Sequence, residues 1–180
     1  MKYIMVDVET DGPIPGDYSM ISFGAVLCEP SKYKTPGFKH KHFYGMLRPI
    51  SNNWKPEALA VSGHTRNDCL AFPEPELVMK DFIVWLNKVS QGDRMFFISD
   101  NNGFDWQFIN WYLWHFTDQN PFGHSSTNLG SLYKGMVKSS FKNFKHLRKT
   151  KHTHNPVDDA TGNAEAFYHM INEMGYKTSF

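Results

Sequence analysis

The stretch DVETDG at residues 7–12 decides the fold prediction. It closes an apolar, β-branched run that starts near the N-terminus, so residues 2–9 are predicted to form a strand. Side chains two residues apart on a strand share one face, and Asp7 and Glu9 therefore project together from its end. Two carboxylates this close repel each other unless a cation neutralises them. The pair is typical of a Mg²⁺ or Mn²⁺ site, but also of a solvated strand end.

Hydrophobic periodicity predicts further strands and helices along the rest of the chain. Strands are predicted at residues 19–27, 41–47 and 95–99, and helices at 56–61, 74–90, 105–116, 127–138 and about 156–174. The second predicted helix, residues 74–90, is expected to bury a stripe formed by Leu77, Val78, Phe82, Trp85 and Leu86. In the last helix, Asn155 is placed at the N-cap and Pro156 at the first position. This order is that of an α/β sandwich with a mixed central sheet flanked by helices.

Composition narrows the class of protein. The chain has 180 residues, and because a domain averages roughly 150 residues, residues 1–180 are expected to form a single domain. The net charge of +1 gives no overall attraction to nucleic acid or to a membrane. Its two cysteines are typical of a reducing compartment, and the apolar run before Asp7 is too short for a signal or a membrane span. A cytoplasmic protein with no membrane association is therefore expected.

Two more segments carry candidate site residues. Asp105 follows the predicted strand at 95–99 through the turn NNGFD, and His154 precedes Asp159 by five residues in HNPVDDA. Each acid also has an ordinary interpretation, because a carboxylate in the first turn of a helix interacts favourably with the helix dipole. Asp158 is interpreted in that way only. Spacing alone does not decide between the two interpretations for Asp105 and Asp159.

The combination of these motifs, in this order, resembles the DEDDh exonuclease superfamily of ribonuclease H-like fold. This superfamily includes ribonuclease T, oligoribonuclease and the proofreading subunit of bacterial replicative polymerases. The resemblance spans nearly the whole chain, and within the superfamily the sequence is most similar to RNase AS-type enzymes. Two positions depart from the pattern: Asp100 stands where many relatives have His, and Pro156 where Ala is more usual.

The resemblance implies a ribonuclease H-like fold and a two-metal hydrolysis of phosphodiester bonds. It implies that single-stranded nucleic acid with a free 3′ end, RNA in preference to DNA, is degraded from 3′ to 5′ into 5′-mononucleotides. Two Mg²⁺ or Mn²⁺ ions would be held by four carboxylates, and His154 would act as general base. The implied metal ligands are Asp7, Glu9, Asp105 and Asp159. The implied substrate contacts are the backbone at Thr10 and Gly12 together with Asn101 and Phe104.

A basic stretch precedes His154. Lys138, Lys142 and Lys145 belong to a series of lysines spaced three or four residues apart, and no acid interrupts residues 129–157. Such a series is typical of a solvated helical face. Because the series leads directly to His154, we favour the interpretation that these lysines form a phosphate track, a row of contacts to the phosphates of the substrate.

Alternatives remain open at this point. A DNA-directed 3′-to-5′ exonuclease fits the same motifs, as does a non-catalytic nucleic-acid-binding module that kept the fold. His152 and His154 also form a His-x-His pair, but the sequence offers no cysteine or third histidine at a spacing recognisable as a zinc site. The resemblance is also compatible with a homodimer.

Overall fold

A mixed five-stranded sheet forms the centre of the protein. The computed structural model describes residues 1–178. The strands are β1 (Lys2–Thr10), β2 (Met20–Cys28), β3 (His42–Met46), β4 (Met95–Ser99) and β5 (Ser126–Asn128). They lie in the order β3-β2-β1-β4-β5. β1 pairs antiparallel with β2, and β2 pairs antiparallel with β3. β4 runs parallel to β1, and β5 runs parallel to β4.

Helices cover both faces of this sheet. They are α1 (Pro56–Val61), α2 (Arg66–Leu70), α3 (Pro75–Ser90), α4 (Asn102–Thr117), α5 (Leu129–Met136) and α6 (Pro156–Asn172), with a 3₁₀ turn at Lys145–Leu147. No helix within residues 1–178 has the length and apolar character needed to cross a membrane. The predicted α/β architecture is confirmed.

The central strand β1 separates two hydrophobic cores because its side chains alternate between faces. Ile4 and Val6 lie in the core formed with α3 and α4. Met5 lies in the core formed with α5 and α6. All three are fully buried, which fixes the register of β1 and hence the positions of the two acids at its end.

Most of the predicted elements are present, with a few corrections. The helix predicted at 127–138 is wrong at both ends, because residues 126–128 pair with β4 as a short polar strand and α5 ends at Met136. Leu77 does not belong to the buried stripe of α3, since it is 60% exposed. α4 starts three residues earlier than predicted, because the Asn101 carbonyl accepts hydrogen bonds from the amides of Phe104 and Asp105.

Helix α2 was not predicted, although its start has a readable signature. The Thr65 side chain accepts a hydrogen bond from the Asp68 amide, and the Asp68 side chain accepts one from the Thr65 amide. This reciprocal pair is a capping box, with Asp in place of the more usual Glu. The Thr-x-x-Asp spacing in the sequence was therefore enough to predict the start of this helix.

Gly24 on β2 allows the start of α6 to approach the sheet closely. A Cβ atom at this position would lie 2.5 Å from the Val157 nitrogen and even closer to the backbone of Pro156. We expect Gly24→Ala to destabilise the protein by about 2–4 kcal/mol, since backbone must move to relieve the clash. The exposed Gly103, where a Cβ atom would meet nothing within 4 Å, is the matched control in a urea-unfolding comparison. Equal midpoints for the two variants would contradict this interpretation.

Candidate metal-dependent nuclease site

Four carboxylates from three parts of the chain meet at one end of the sheet. Asp7 and Glu9 come from β1, Asp105 from the first turn of α4, and Asp159 from the first turn of α6. The parallel pairing of β1 with β4 places the start of α4 beside the end of β1. The Val8 amide donates a hydrogen bond of 3.3 Å to Asp105 Oδ1, which joins the two segments directly.

Three of the four acids are close enough to share one ion. A carboxylate oxygen from each of Asp7, Glu9 and Asp159 lies within 4.8 Å of the other two. Asp105 lies behind this group, 4% exposed and held by the Val8 amide. Asp159 is 1% exposed. The arrangement brings together all four acids that the sequence selected, with Asp105 and Asp159 more buried than Glu9.

The concentration of negative charge changes the protonation of these acids. Burial, and next the charges of Asp159 and Asp105, raise the pKa of Glu9 to about 7. Burial is also the main cause that raises the pKa of Asp105 to about 7. Burial and the neighbouring acids raise the pKa of Asp7 well above its usual value. Without a cation, the cluster therefore holds protons near neutral pH that ordinary carboxylates would have lost.

These shifts predict how the stability of the metal-free protein depends on pH. The folded state binds more protons than the unfolded state between about pH 4 and 7, so the free energy of unfolding must fall as pH rises across that interval. We expect a loss on the order of 3 kcal/mol, measured by urea unfolding in EDTA. Mg²⁺ should restore most of the lost stability at pH 8. A free energy of unfolding that rises from pH 4 to 7 in EDTA would contradict the raised pKa of the clustered acids.

Asp159 is held by a loop whose role the sequence did not predict. Arg148 Nη2 donates a hydrogen bond of 2.8 Å to Asp159 Oδ1, and His152 Nδ1 lies 2.8 Å from the same oxygen. The amides of Thr153 and His154 donate to the two oxygens of this carboxylate. The Arg148 side chain is 8% exposed. A guanidinium thus neutralises part of the acidic cluster from within the fold.

The pairing of Arg148 with Asp159 depends on Gly162, one turn further along α6. A Cβ atom at Gly162 would collide with the Arg148 guanidinium. The spacing of the basic residues in the sequence does not distinguish the role of Arg148 from that of the neighbouring lysines. Gly162 was the available signal, and its meaning is readable only once the helix register is known.

His154 stands at the rim of the acidic cluster. Its Nδ1 atom lies 3.8 Å from Glu9 Oε1, and its side chain is half exposed. Its φ of 60° lies in the left-handed region, a strained conformation for a non-glycine residue. The loop is fixed on its far side by Asn155, whose side chain caps α6 as predicted. This geometry aims an imidazole at the space beside the carboxylates.

The acid that directly follows β1, Asp11, has a structural role. Asp11 is fully buried, its Oδ1 accepts a hydrogen bond from the Ser19 amide, and its Oδ2 accepts one of 2.6 Å from Arg66. Arg66 also donates to the Ser51 carbonyl. The pair ties α2 to the segment that follows Glu9. This pair was not predicted, because DVETDG gives no indication of which acid pairs internally.

The predicted substrate contacts have different surroundings. Thr10 is buried and its hydroxyl donates to the Gly12 carbonyl. Gly12 is covered by the Tyr18 ring, which leaves no room for a Cβ atom. Asn101 is exposed at the N-cap of α4, whereas Phe104 packs on Phe108 with ring centroids 5.3 Å apart. These four residues surround the acidic end of β1 and α4, and only Asn101 among them is exposed.

The basic stretch does not form the regular helical face that its spacing suggested. α5 ends at Met136, and Lys138 and Lys142 are exposed in the loop beyond it. A cavity of about 250 Å³ lies beside His152 instead. Its lining includes Lys145, Arg148, Lys149 and Lys151. Of the three predicted phosphate contacts, only Lys145 lines this cavity.

Two acids keep this basic loop in place. Glu165 on α6 accepts hydrogen bonds from the amides of Lys149 and Thr150 at 2.8 and 2.7 Å. Asp100, which departs from the usual His, faces the loop. Burial raises its pKa, while Lys145 and Arg148 oppose that rise. The loop is therefore attached to α6 through Glu165, and the charges of Lys145 and Arg148 act on Asp100 at the end of β4.

The donor set fits a hard divalent cation. Three buried or partly buried carboxylates offer oxygen atoms within 4.8 Å of one another, and oxygen is the donor that Mg²⁺ and Mn²⁺ prefer. Burial, followed by the charges of the neighbouring acids, raises the pKa of Asp7 and of Glu9. A cation is the natural partner for such a cluster.

Comparison with known proteins agrees with this geometry. Residues 4–167 match the family described as Exonuclease (RNase_T). The chain belongs to this exonuclease family. A relative with 34% identity is the 3′-5′ DNA exonuclease Cap18 of Escherichia coli, and the match covers 97% of this chain and 94% of that protein. The resemblance to the DEDDh exonucleases is confirmed, and 3′-5′ exonuclease activity is supported for this family member.

Solved structures of other exonucleases share the fold. The nuclease domain of 3′hExo, a DEDDh family member bound to rAMP, has a TM-score of 0.73 at 17% identity, covering 96% of this chain and 92% of that chain. Cell-death related nuclease 4 has a TM-score of 0.73 at 18% identity; the match covers 97% of this chain and 64% of that one. E. coli exonuclease I in complex with single-stranded DNA has a TM-score of 0.67 at 17% identity, covering 96% and 41%.

Proposed function

We propose that this exonuclease family member hydrolyses single-stranded DNA from a free 3′ end and releases 5′-mononucleotides. The observation that carries the proposal is the meeting of Asp7, Glu9 and Asp159 around one point, with Asp105 behind them and His154 at the rim. A non-catalytic module would have no need to hold so many uncompensated acids together.

Each of these residues has a proposed role. Asp7, Glu9, Asp105 and Asp159 hold two Mg²⁺ or Mn²⁺ ions. Bound ions of this kind supply an acidified water and stabilise the leaving oxygen of an in-line displacement. His154, half exposed and close to Glu9, takes the proton from the attacking water as general base. The buried position of Asp105 and its bond from the Val8 amide fix the geometry of the inner side of the site.

The end of the substrate strand is proposed to lie over the first turn of α4. The backbone at Thr10 and Gly12 approaches the terminal 3′ hydroxyl, and Asn101 and Phe104 line the approach to the carboxylates. Support comes from their positions, since all four residues lie at the ends of β1 and β4 that carry the acids. Asn101 is the exposed member of this set and is the one expected to touch a base or sugar.

The choice of DNA over RNA comes from the relative. The E. coli protein that is 34% identical over nearly the whole chain is named a DNA exonuclease. The expectation of RNA came from the general resemblance alone, and no observation favours it. Discrimination depends on how the site treats the 2′ hydroxyl of the terminal nucleotide.

Degradation of labelled strands tests the proposal. Single-stranded DNA and RNA of the same sequence are labelled at the 5′ or at the 3′ end and incubated with the protein and Mg²⁺ or Mn²⁺. We expect 3′-labelled DNA to release labelled mononucleotide at once, and 5′-labelled DNA to shorten stepwise. Faster loss of RNA would reverse the sugar assignment. Release of mononucleotide first from the 5′ end would contradict the proposed polarity.

The basic loop predicts a salt dependence of substrate binding. Two contacts between lysines and phosphates on a single strand contribute about −1.4 to the slope of log affinity against log salt concentration. Replacing Lys145 and Lys151, which line the cavity beside His152, with Ala should flatten the slope by about that amount. Lys39 and Lys88, exposed elsewhere, form the control pair. Equal slopes for both double variants would contradict the proposed contacts of Lys145 and Lys151 with the phosphates.

Three further expectations stay predictions. We propose that residues 1–180 act as one exonuclease domain, of which residues 179–180 lie outside the described part of the chain. A homodimer and a cytoplasmic location follow from the resemblance and the composition alone. Sedimentation analysis and fractionation of cells are the respective measurements.

A further inference from the structure

A second set of metal-ligand atoms overlaps the acidic site on its solvent side. A ring nitrogen from each of His152 and His154 and an oxygen of Asp159 all lie within 4.8 Å of one another. The two imidazole side chains are 54% and 50% exposed, whereas the carboxylate is 1% exposed. The two rings meet edge to face with centroids 4.2 Å apart. An ion entering from solvent would therefore find two accessible nitrogens in front of one fixed oxygen.

This donor set differs in kind from the all-oxygen cluster beside it. Two imidazoles and one carboxylate, with a fourth position open to water, form a ligand set typical of Zn²⁺. Mg²⁺ gains little from imidazole and loses hydration reluctantly. The histidine cluster should therefore select Zn²⁺ even when Mg²⁺ is in large excess.

Arg148 sets the strength of this second site. Its guanidinium donates to Asp159 Oδ1, the oxygen that also lies 2.8 Å from His152 Nδ1. The carboxylate therefore reaches an incoming ion already partly neutralised. Affinity must then come mainly from the two imidazoles, so the loss of either ring should have a large effect on Zn²⁺ binding.

We propose that His152, His154 and Asp159 form an inhibitory Zn²⁺ site. The inference rests on the proposed function, because His154 and Asp159 are also assigned to hydrolysis. Ligation of Zn²⁺ uses the lone pair with which His154 would accept the proton of the attacking water. It also removes Asp159 from the carboxylate cluster. Zn²⁺ at this site therefore stops hydrolysis without competing for Asp7.

A binding experiment that does not depend on activity tests the site. The full chain is titrated with Co²⁺, a spectroscopic substitute for Zn²⁺, in excess Mg²⁺. We expect visible absorption bands typical of tetrahedral Co²⁺ that Zn²⁺ removes. His152→Gln should weaken binding at least about tenfold, since loss of a ligand exceeds the usual effect of losing an outer-shell partner. His124→Gln, which removes an exposed histidine elsewhere, should leave the bands unchanged. No bands in the wild-type protein, or equal bands in His152→Gln, would overturn the proposal.

A rate measurement then tests inhibition. Each variant is compared with its own rate in Mg²⁺ before and after addition of Zn²⁺. The wild-type protein and His124→Gln should lose activity at a Zn²⁺ concentration that leaves the rate of His152→Gln unchanged. Equal inhibition of His152→Gln would show that Zn²⁺ acts at the oxygen cluster and would overturn the proposal. A wild-type protein without nuclease activity in Mg²⁺ would refute the proposed function, while the Co²⁺ titration still decides the site.

Discussion

Asp7→Asn is expected to lower the exonuclease rate by about 10³, equivalent to about 4 kcal/mol of transition-state stabilisation. The same change should leave the metal-free protein at least as stable as the wild type at pH 8. The reason is that Asp7 is surrounded by other acids, which together with burial raise its pKa. Removing its charge therefore relieves repulsion while it removes a metal ligand. Opposite signs for activity and stability distinguish a lost ligand from a misfolded variant.

The measurement combines a single-turnover rate on 3′-labelled DNA with thermal unfolding in EDTA. Asp81→Asn makes the same chemical change at an exposed position on α3, and both quantities should stay at their wild-type values. A rate for Asp7→Asn within about tenfold of the wild type would contradict its assignment as a ligand. A marked drop in stability would instead assign Asp7 a structural role.

His154→Ala is expected to lower kcat by about 10²–10⁴, the usual contribution of a positioned general base. KM and the Mg²⁺ concentration needed for half-maximal rate should change little, because His154 lies at the rim of the carboxylates, with Nδ1 3.8 Å from Glu9. His169→Ala, at an exposed position on α6, should leave all three quantities unchanged. If His154→Ala raised the Mg²⁺ requirement and left kcat intact, His154 would be a metal ligand and not a base.

The acidic site could be predicted from the sequence because local residue patterns place each of its acids. Asp7 and Glu9 project together as soon as a strand is predicted at residues 2–9. Asp159 is placed by the cap at Asn155 and by Pro156, both of which have strong local preferences at a helix start. The order of the motifs then supplied the long-range information, through the resemblance, that these segments meet.

The features that sequence reasoning missed depend on contacts between distant segments. Strand β5 consists of Ser126, Thr127 and Asn128, which have no strand-like pattern and form a strand only because β4 offers an open edge. The pairing of Arg148 with Asp159 depends on the space left by Gly162. The lysine spacing suggested a helix, yet the backbone after Met136 is fixed by Glu165 and by the 3₁₀ turn, and neither can be read from periodicity.

The most direct test of the central claim is the anomalous scattering of Mn²⁺ in crystals grown with a 5′-mononucleotide. We expect Mn²⁺ at ligand distances of about 2 Å from oxygens of Asp7 and of Glu9 or Asp159. We also expect Asp159 to have exchanged its contact with Arg148 for a metal ion. Mn²⁺ bound elsewhere, with Asp159 still paired with Arg148, would contradict it.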